Sequence, residues 1–143
     1  MNKAITLAEL NTIAKEVLVK AHNIKNDSAT VIAMHGDLGS GKTTLTQEIG
    51  KILGIKEKLV SPTFVIMKKY KIADTKWQYL IHIDAYRLEK SRELENLGWA
   101  ELLADKNNLI IIEWPEQVPD CIPKHACHIH LTHIKEGKRQ IKF

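Results

Sequence analysis

The sequence predicts an α/β fold in three layers, a mixed and largely parallel sheet with antiparallel hairpin strands and helices on its faces. Three observations carry this. Thr30–Met34 is a β-branched apolar run that enters a glycine-rich turn and then a helix-prone stretch, Lys42–Leu53. Leu109–Ile112 is apolar at every position, as a central parallel strand buried on both faces must be. Cys127, Ile129 and Leu131 alternate with His128 and His130, the period of a strand with one wet face.

The remaining elements follow in chain order. From residue 6 to 21, Leu7, Leu10, Ile13, Ala14, Val17, Leu18 and Ala21 recur at helical spacing behind Thr6 and Glu9, a capping-box pair. Gly54 ends the second helix, and Ser61-Pro62 is a turn. Strands are expected over Phe64–Tyr70 and Trp77–Asp84, joined by the polar turn Ala73–Lys76 as an antiparallel hairpin. Ser91–Ala104 is helical with Gly98 as a break. A strand over Ala126–Ile134, a turn at Glu136-Gly137 and a short strand to Phe143 complete the chain.

At 143 residues, with 44% hydrophobic and 27% charged residues, the chain suits one domain spanning 1–143, with no room for a separate substrate domain. No apolar run reaches the ~20 residues of a membrane span, and no signal-peptide core is visible, so a cytoplasmic location without membrane contact is expected. Two cysteines, Cys121 and Cys127, do not make a disulfide framework. The net charge of +4 comes from dispersed lysines, the pattern of a solvated surface.

Gly36-Asp37-Leu38-Gly39-Ser40-Gly41-Lys42-Thr43 fits G-x-x-x-x-G-K-[ST] and stands between a strand and a helix, where the chemistry requires it. The glycines admit a tight turn that brings amide N–H groups to phosphate oxygens. The positive end of the helix adds to the anion site, and the Lys42 ammonium meets the β and γ phosphates. The Thr43 hydroxyl can take one Mg²⁺ position, and Thr44 continues the helix start. This predicts a P-loop NTPase-like fold. A strand-end carboxylate should complete the Mg²⁺ site, and both Asp84 and Glu113 qualify.

Cys121, His125, Cys127, His128, His130 and His133 invite a zinc reading. The strand alternation points Cys127 away from His128 and His130, which argues against it. Trp114 suits either a core or rim position or a role at the nucleotide edge or a partner surface, and Arg87 either a phosphate or a surface acid such as Glu89. No arginine stands out as a finger for the γ-phosphate.

Together with Ser61-Pro62-Thr63-Phe64, His82-Ile83-Asp84-Ala85-Tyr86-Arg87-Leu88, Glu93-Leu94-Glu95 with Gly98, and Ile112-Glu113-Trp114-Pro115, the loop makes the chain resemble the TsaE (formerly YjeE) family over nearly its whole length. The resemblance implies an ATPase, slow alone and stimulated by partners. It would support the TsaB–TsaD complex that installs threonylcarbamoyl on adenosine 37 (t6A) of tRNAs reading codons that begin with A, with tRNA contact indirect. By family pattern Thr63 would sense the γ-phosphate, Asp84 would order the attacking water, and Glu113 would hold Mg²⁺ with Thr43. Trp114 would be the site tryptophan, the start of the first helix near Thr6 would lie by the adenine, and Asp37 to Thr44 would wrap the phosphates of ATP. Ala85, where the family often has a bulkier apolar residue, and the short segment after Gly137 depart from the pattern.

Two other readings compete. A small-molecule kinase would need an arginine-bearing lid, for which three arginines are poor provision. An ATP-gated binding module would dock a partner without releasing phosphate. A GTPase is disfavoured because no Asn-Lys-x-Asp segment is present.

Overall fold

The computed structural model describes residues 1–60, Pro62 and 65–143, so the expected γ-phosphate sensor Thr63, with Ser61 and Phe64, lies outside the described residues. One seven-stranded sheet runs through the chain: β1 (Asn2–Thr6), β2 (Thr30–His35), β3 (Met67–Lys71), β4 (Tyr79–Asp84), β5 (Asn108–Glu113), β6 (Cys127–Lys135) and β7 (Lys138–Lys142). Their spatial order is β1-β7-β6-β2-β5-β4-β3. The inner four, β6-β2-β5-β4, are mutually parallel, while β3 on β4, β7 on β6 and β1 on β7 are antiparallel.

The helices are α1 (Leu10–His22), α2 (Lys42–Ile52), α3 (Ser91–Glu95) and α4 (Trp99–Ala104). Strand alternation divides the core into two layers. Ile32, Met34, Leu80, Leu109, Ile111, Ile129 and Leu131 face α1 and α2, whose Ile13, Val17, Leu45 and Ile49 close over them. Val31, Ala33, Ile81, Ile83, Ile110 and Ile112 face the other way, against Leu94, Trp99 and Val118. Both faces of β2 and β5 are therefore buried, and a sheet covered on both sides is what keeps an all-apolar parallel strand stable.

Several expected boundaries move. The segment before residue 6 is a strand, because β1 pairs with β7 from Asn2↔Lys142 to Thr6↔Lys138. Neither period nor turn chemistry marks five residues whose only fully buried member is Ile5. Thr6 and Glu9 do interact, with the Thr6 N–H donating to Glu9 Oε1 at 3.1 Å, but a 3₁₀ turn over Leu7–Glu9 precedes α1. The hairpin strand starts at Met67, because Ile66 takes a left-handed φ of 69°, and its partner starts at Tyr79. Trp77 precedes that strand as a core residue, its indole N–H donating to Thr30 Oγ1 at 3.0 Å. Gly98 (φ 89°) separates α3 from α4 as the sequence predicts. No helix among the described residues is long and apolar enough to cross a membrane.

Candidate functional site

Period-two alternation builds the site. Leu80, His82 and Asp84 share the α2 face of β4, as Leu109, Ile111 and Glu113 do on β5, so each strand ends with a carboxylate on the side where α2 begins. Asp84 and Glu113 are register partners at the carboxyl ends of adjacent parallel strands. The neighbouring strand, β2, delivers the loop: His35 is its last residue, and Gly36 to Gly41 lead into α2 at Lys42.

The loop needs its glycines for two different reasons. Gly36, at φ 152°, has no space for a side chain: an added Cβ would stand 2.4 Å from Ser40 Oγ and 2.6 Å from the Leu131 carbonyl oxygen. Gly39 (φ 77°) and Gly41 (φ 103°) share the positive φ but have room around them, with no atom nearer than 3.9 Å to an added Cβ. The Leu45 N–H donates to Gly41 O at 2.9 Å, the first bond of α2. The amides of Lys42, Thr43 and Thr44 thus belong to the helical turn that has no intrahelical acceptors.

Lys42 is 5% exposed. Its ammonium donates to the carbonyls of Gly36 and, at 3.1 Å, Asp37, and lies 4.0 Å from the Trp114 ring centroid. Burial pushes its pKa below the ordinary lysine value, against the opposing pull of Glu113, Glu116, Asp84 and Asp37. The Thr43 hydroxyl donates to Glu113 Oε1 at 3.1 Å. Glu113 also accepts from His82 Nε2 at 2.6 Å. Asp84 is anchored differently, its Oδ1 accepting the Tyr86 N–H at 3.0 Å.

These residues surround a cleft of about 340 Å³, lined by Leu38 to Thr44, Asp84, Tyr86, Glu113, Trp114 and Arg139. A smaller, more apolar recess of about 80 Å³ adjoins it between Ile5, Thr6, Leu7 and Leu10 on one side and Leu131, Gly137 and Arg139 on the other. Ser40, Gly41 and Thr44 border both. The structure therefore collects Leu38, Gly39, Ser40, Gly41, Lys42, Thr43, Thr44, Asp84, Glu113 and Trp114 at one cleft and puts Thr6 in the adjoining recess. Asp37 contributes its backbone carbonyl to Lys42 and Ser40 and does not line the cleft.

Trp114 has left-handed backbone (φ 59°, ψ 50°) directly before Pro115. For a bulky residue that conformation costs about 1–2 kcal/mol. It leaves the indole 5.0 Å from the Tyr86 ring and beside Lys42.

Arg139 is the residue that sequence reasoning missed. Its guanidinium donates to the carbonyls of Lys135 (3.2 Å) and Lys138 (3.1 Å), which bends it over the hairpin, and its Nε lies 3.9 Å from the direction of a Cβ on Gly41. Nearly a hundred residues separate it from Lys42, and only the central position of β2 beside β6 brings the two together.

The histidines fall as the alternation predicts, Cys127 buried and His128 and His130 outward. They are joined by one not foreseen. His35 stacks on His130 at 4.3 Å, bonds His128 (Nε2 to Nδ1, 2.8 Å), and its Nδ1 lies 3.4 Å from Glu116. Among the described residues no group of three or more His, Cys, Asp or Glu is arranged to hold a metal ion.

Hard oxygen donors at the Thr43–Glu113 contact, with Asp84 beside them, suit Mg²⁺, which takes oxygen ligands and keeps several waters.

With this geometry in view, the comparisons are specific. The family model described as "Threonylcarbamoyl adenosine biosynthesis protein TsaE" matches residues 6–141. Proteins named tRNA threonylcarbamoyladenosine biosynthesis protein TsaE are similar over most of the chain. The one from a Nostoc species is 39% identical, over 81% of this chain and 70% of its own length. That of Haemophilus influenzae is 30% identical, over 86% and 73%. The crystal structure of Bacillus subtilis YdiB superposes with a TM-score of 0.68 at 27% identity, over 99% of this chain and 84% of that one.

Proposed function

The chain belongs to the TsaE family, whose role is in the biosynthesis of threonylcarbamoyladenosine in tRNA; from that premise we propose that it is a Mg²⁺-dependent ATPase. In this reading it works with TsaB and TsaD in forming the threonylcarbamoyl group on adenosine 37 of tRNAs that read codons beginning with A, in the cytoplasm and without touching the tRNA itself. One observation carries the proposal. The hydroxyl of Thr43, at the start of α2, meets the carboxylate of Glu113 at the end of β5, beside the amide-lined loop and Lys42.

The mechanism follows from placement. The phosphates lie along the loop from Gly39 to Thr44, where unpaired amides and the helix terminus favour anionic oxygens. Lys42 exchanges the carbonyls of Gly36 and Asp37 for β- and γ-phosphate oxygens, and their charge returns its pKa towards the ordinary value. Mg²⁺ bound by Thr43 and Glu113 would neutralise charge developing on the β and γ oxygens. Asp84, held by the Tyr86 N–H, orients the water that attacks the γ-phosphorus, and Thr63 senses that phosphate.

The adenine takes the recess at Thr6 and Leu7, whose apolar walls suit a flat aromatic ring. Arg139, which borders both recess and cleft, meets the sugar–phosphate junction between them. So placed it supports binding and does not act on the γ-phosphate, and the isolated chain hydrolyses ATP slowly. An arginine directed at the transferred phosphate is worth about 10³–10⁵ in rate in related enzymes.

The test is phosphate release by wild type and Lys42→Ala, each with and without TsaB and TsaD. The expected result is slow release by wild type alone, acceleration with the partners, and no release by Lys42→Ala in either setting. Equal rates for wild type and Lys42→Ala would overturn the reading, as would ATP turnover that depends on an added small acceptor.

A further inference from the structure

His82 occupies a position that the strand pattern reserves for an apolar residue. It lies between Leu80 and Asp84 on the α2 face of β4, opposite Ile111 in the β5 register, and is 0% exposed. An imidazole buried there costs stability unless its polar atoms are used. Among the described residues only one is: Nε2 lies 2.6 Å from Glu113 Oε2, whereas Nδ1 has no hydrogen-bond partner there. The ring proton therefore resides on Nε2, and the imidazole donates it to Glu113.

Among the described residues that carboxylate also meets the Thr43 hydroxyl, 3.1 Å from Oε1. Glu113 is thus held from the sheet side by His82 and faces α2 with the oxygen nearer Thr43. The constraint is needed because Asp84 is the register partner of Glu113. Two carboxylates at adjacent strand ends repel, and a glutamate with three rotatable side-chain bonds would otherwise swing away.

We propose that His82 is a positioning residue that fixes the Glu113 carboxylate in the rotamer that, with Thr43, receives the divalent cation. The inference rests on the reading of Glu113 as a metal ligand. It assigns to the chain an outer-shell group of the kind whose loss typically costs about 10- to 100-fold in metal affinity.

The experiment is Mn²⁺ titration followed by electron paramagnetic resonance in the presence of ADP, with ADP affinity measured separately in EDTA. His82→Phe keeps a flat aromatic ring, though a larger one, and removes the donor. It is expected to weaken Mn²⁺ binding about 10- to 100-fold and to leave the metal-free ADP affinity unchanged. His82→Gln, whose amide N–H can reach the position of Nε2, is expected to recover most of the loss. Wild-type Mn²⁺ affinity in a folded His82→Phe protein would overturn the proposal.

Should His82→Phe not fold, His82→Gln is compared with His82→Asn, whose shorter amide mimics Nδ1. Tighter Mn²⁺ binding by His82→Gln supports the positioning role, and equal binding by the two overturns it. Failure of the wild type to bind Mn²⁺ with ADP would instead overturn the Mg²⁺–nucleotide reading, and this inference with it.

Discussion

Lys42, Thr43 and Glu113 come together from residues 70 apart in sequence, yet each could be singled out beforehand because its chemistry is tied to a local pattern. The loop motif has fixed spacing, and Glu113 ends an apolar strand. Between Asp84 and Glu113 the pattern was indifferent, since both close a strand with a carboxylate; their contacts, to Tyr86 N–H and to Thr43, differ only in three dimensions. Arg139 was illegible because an arginine on an amphipathic hairpin has no signature until the hairpin is placed beside the loop. Arg139→Ala is expected to weaken ATP binding by roughly 1.5–3 kcal/mol, the worth of a hydrogen bond to a charged group, with little change in kcat. Calorimetric titration together with steady-state kinetics would check it.

The histidine cluster yields a pH prediction. Burial, followed by the neighbouring His130 and His128, lowers His35 from 6.5 to about 4, while Glu116 stands 3.4 Å from its Nδ1. Between those values the unfolded chain binds a proton that the folded chain refuses, so stability is full above about pH 6.5 and falls as the pH drops towards 4. His130, also lowered chiefly by burial, acts in the same direction. Urea denaturation at a series of pH values should show that decline, and His35→Asn should flatten it.

Elements were legible where period and punctuation agreed. Gly98 divides α3 from α4, Leu109–Ile112 of β5 is apolar at every position, and the Cys127 face of β6 is buried, all as the side-chain pattern requires. β1 was not legible, since its pairing with β7 is supplied by the far end of the chain. The loop makes a graded prediction at this scale. Gly36→Ala drives a methyl against the Leu131 carbonyl and Ser40, so a loss of about 2 kcal/mol or more is expected. Gly39→Ala meets no atom within 4 Å and should cost only the roughly 1–2 kcal/mol of a left-handed alanine. Thermal or chemical denaturation of the two variants would rank them, and the reverse order would contradict the account.

Across the whole molecule the three tryptophans report on three regions. Trp77 lies in the core layer under α1 and α2, Trp99 in the layer on the opposite face, and Trp114 at the cleft. ATP binding is therefore expected to change the intrinsic fluorescence through Trp114, whose ring stands 4.0 Å from the Lys42 ammonium. Trp114→Phe should abolish that response and keep the fluorescence change on unfolding. A nucleotide response that survives the substitution would place the ligand elsewhere. The fold class was legible because three segments specified it, but the neighbours of each strand were not. The strand order inserts the late strand β6 beside β2, a long-range pairing that local composition cannot encode.

That order has a kinetic consequence. Because β2 has a parallel partner on each side and Val31 to Met34 are wholly buried, no local fraying can expose their amides to solvent. In deuterated buffer these protons should be retained until the entire molecule opens, while those of the peripheral strands β1 and β3 are lost in smaller excursions. The segment that feeds the phosphate loop would then be the last part of the chain to take up deuterium.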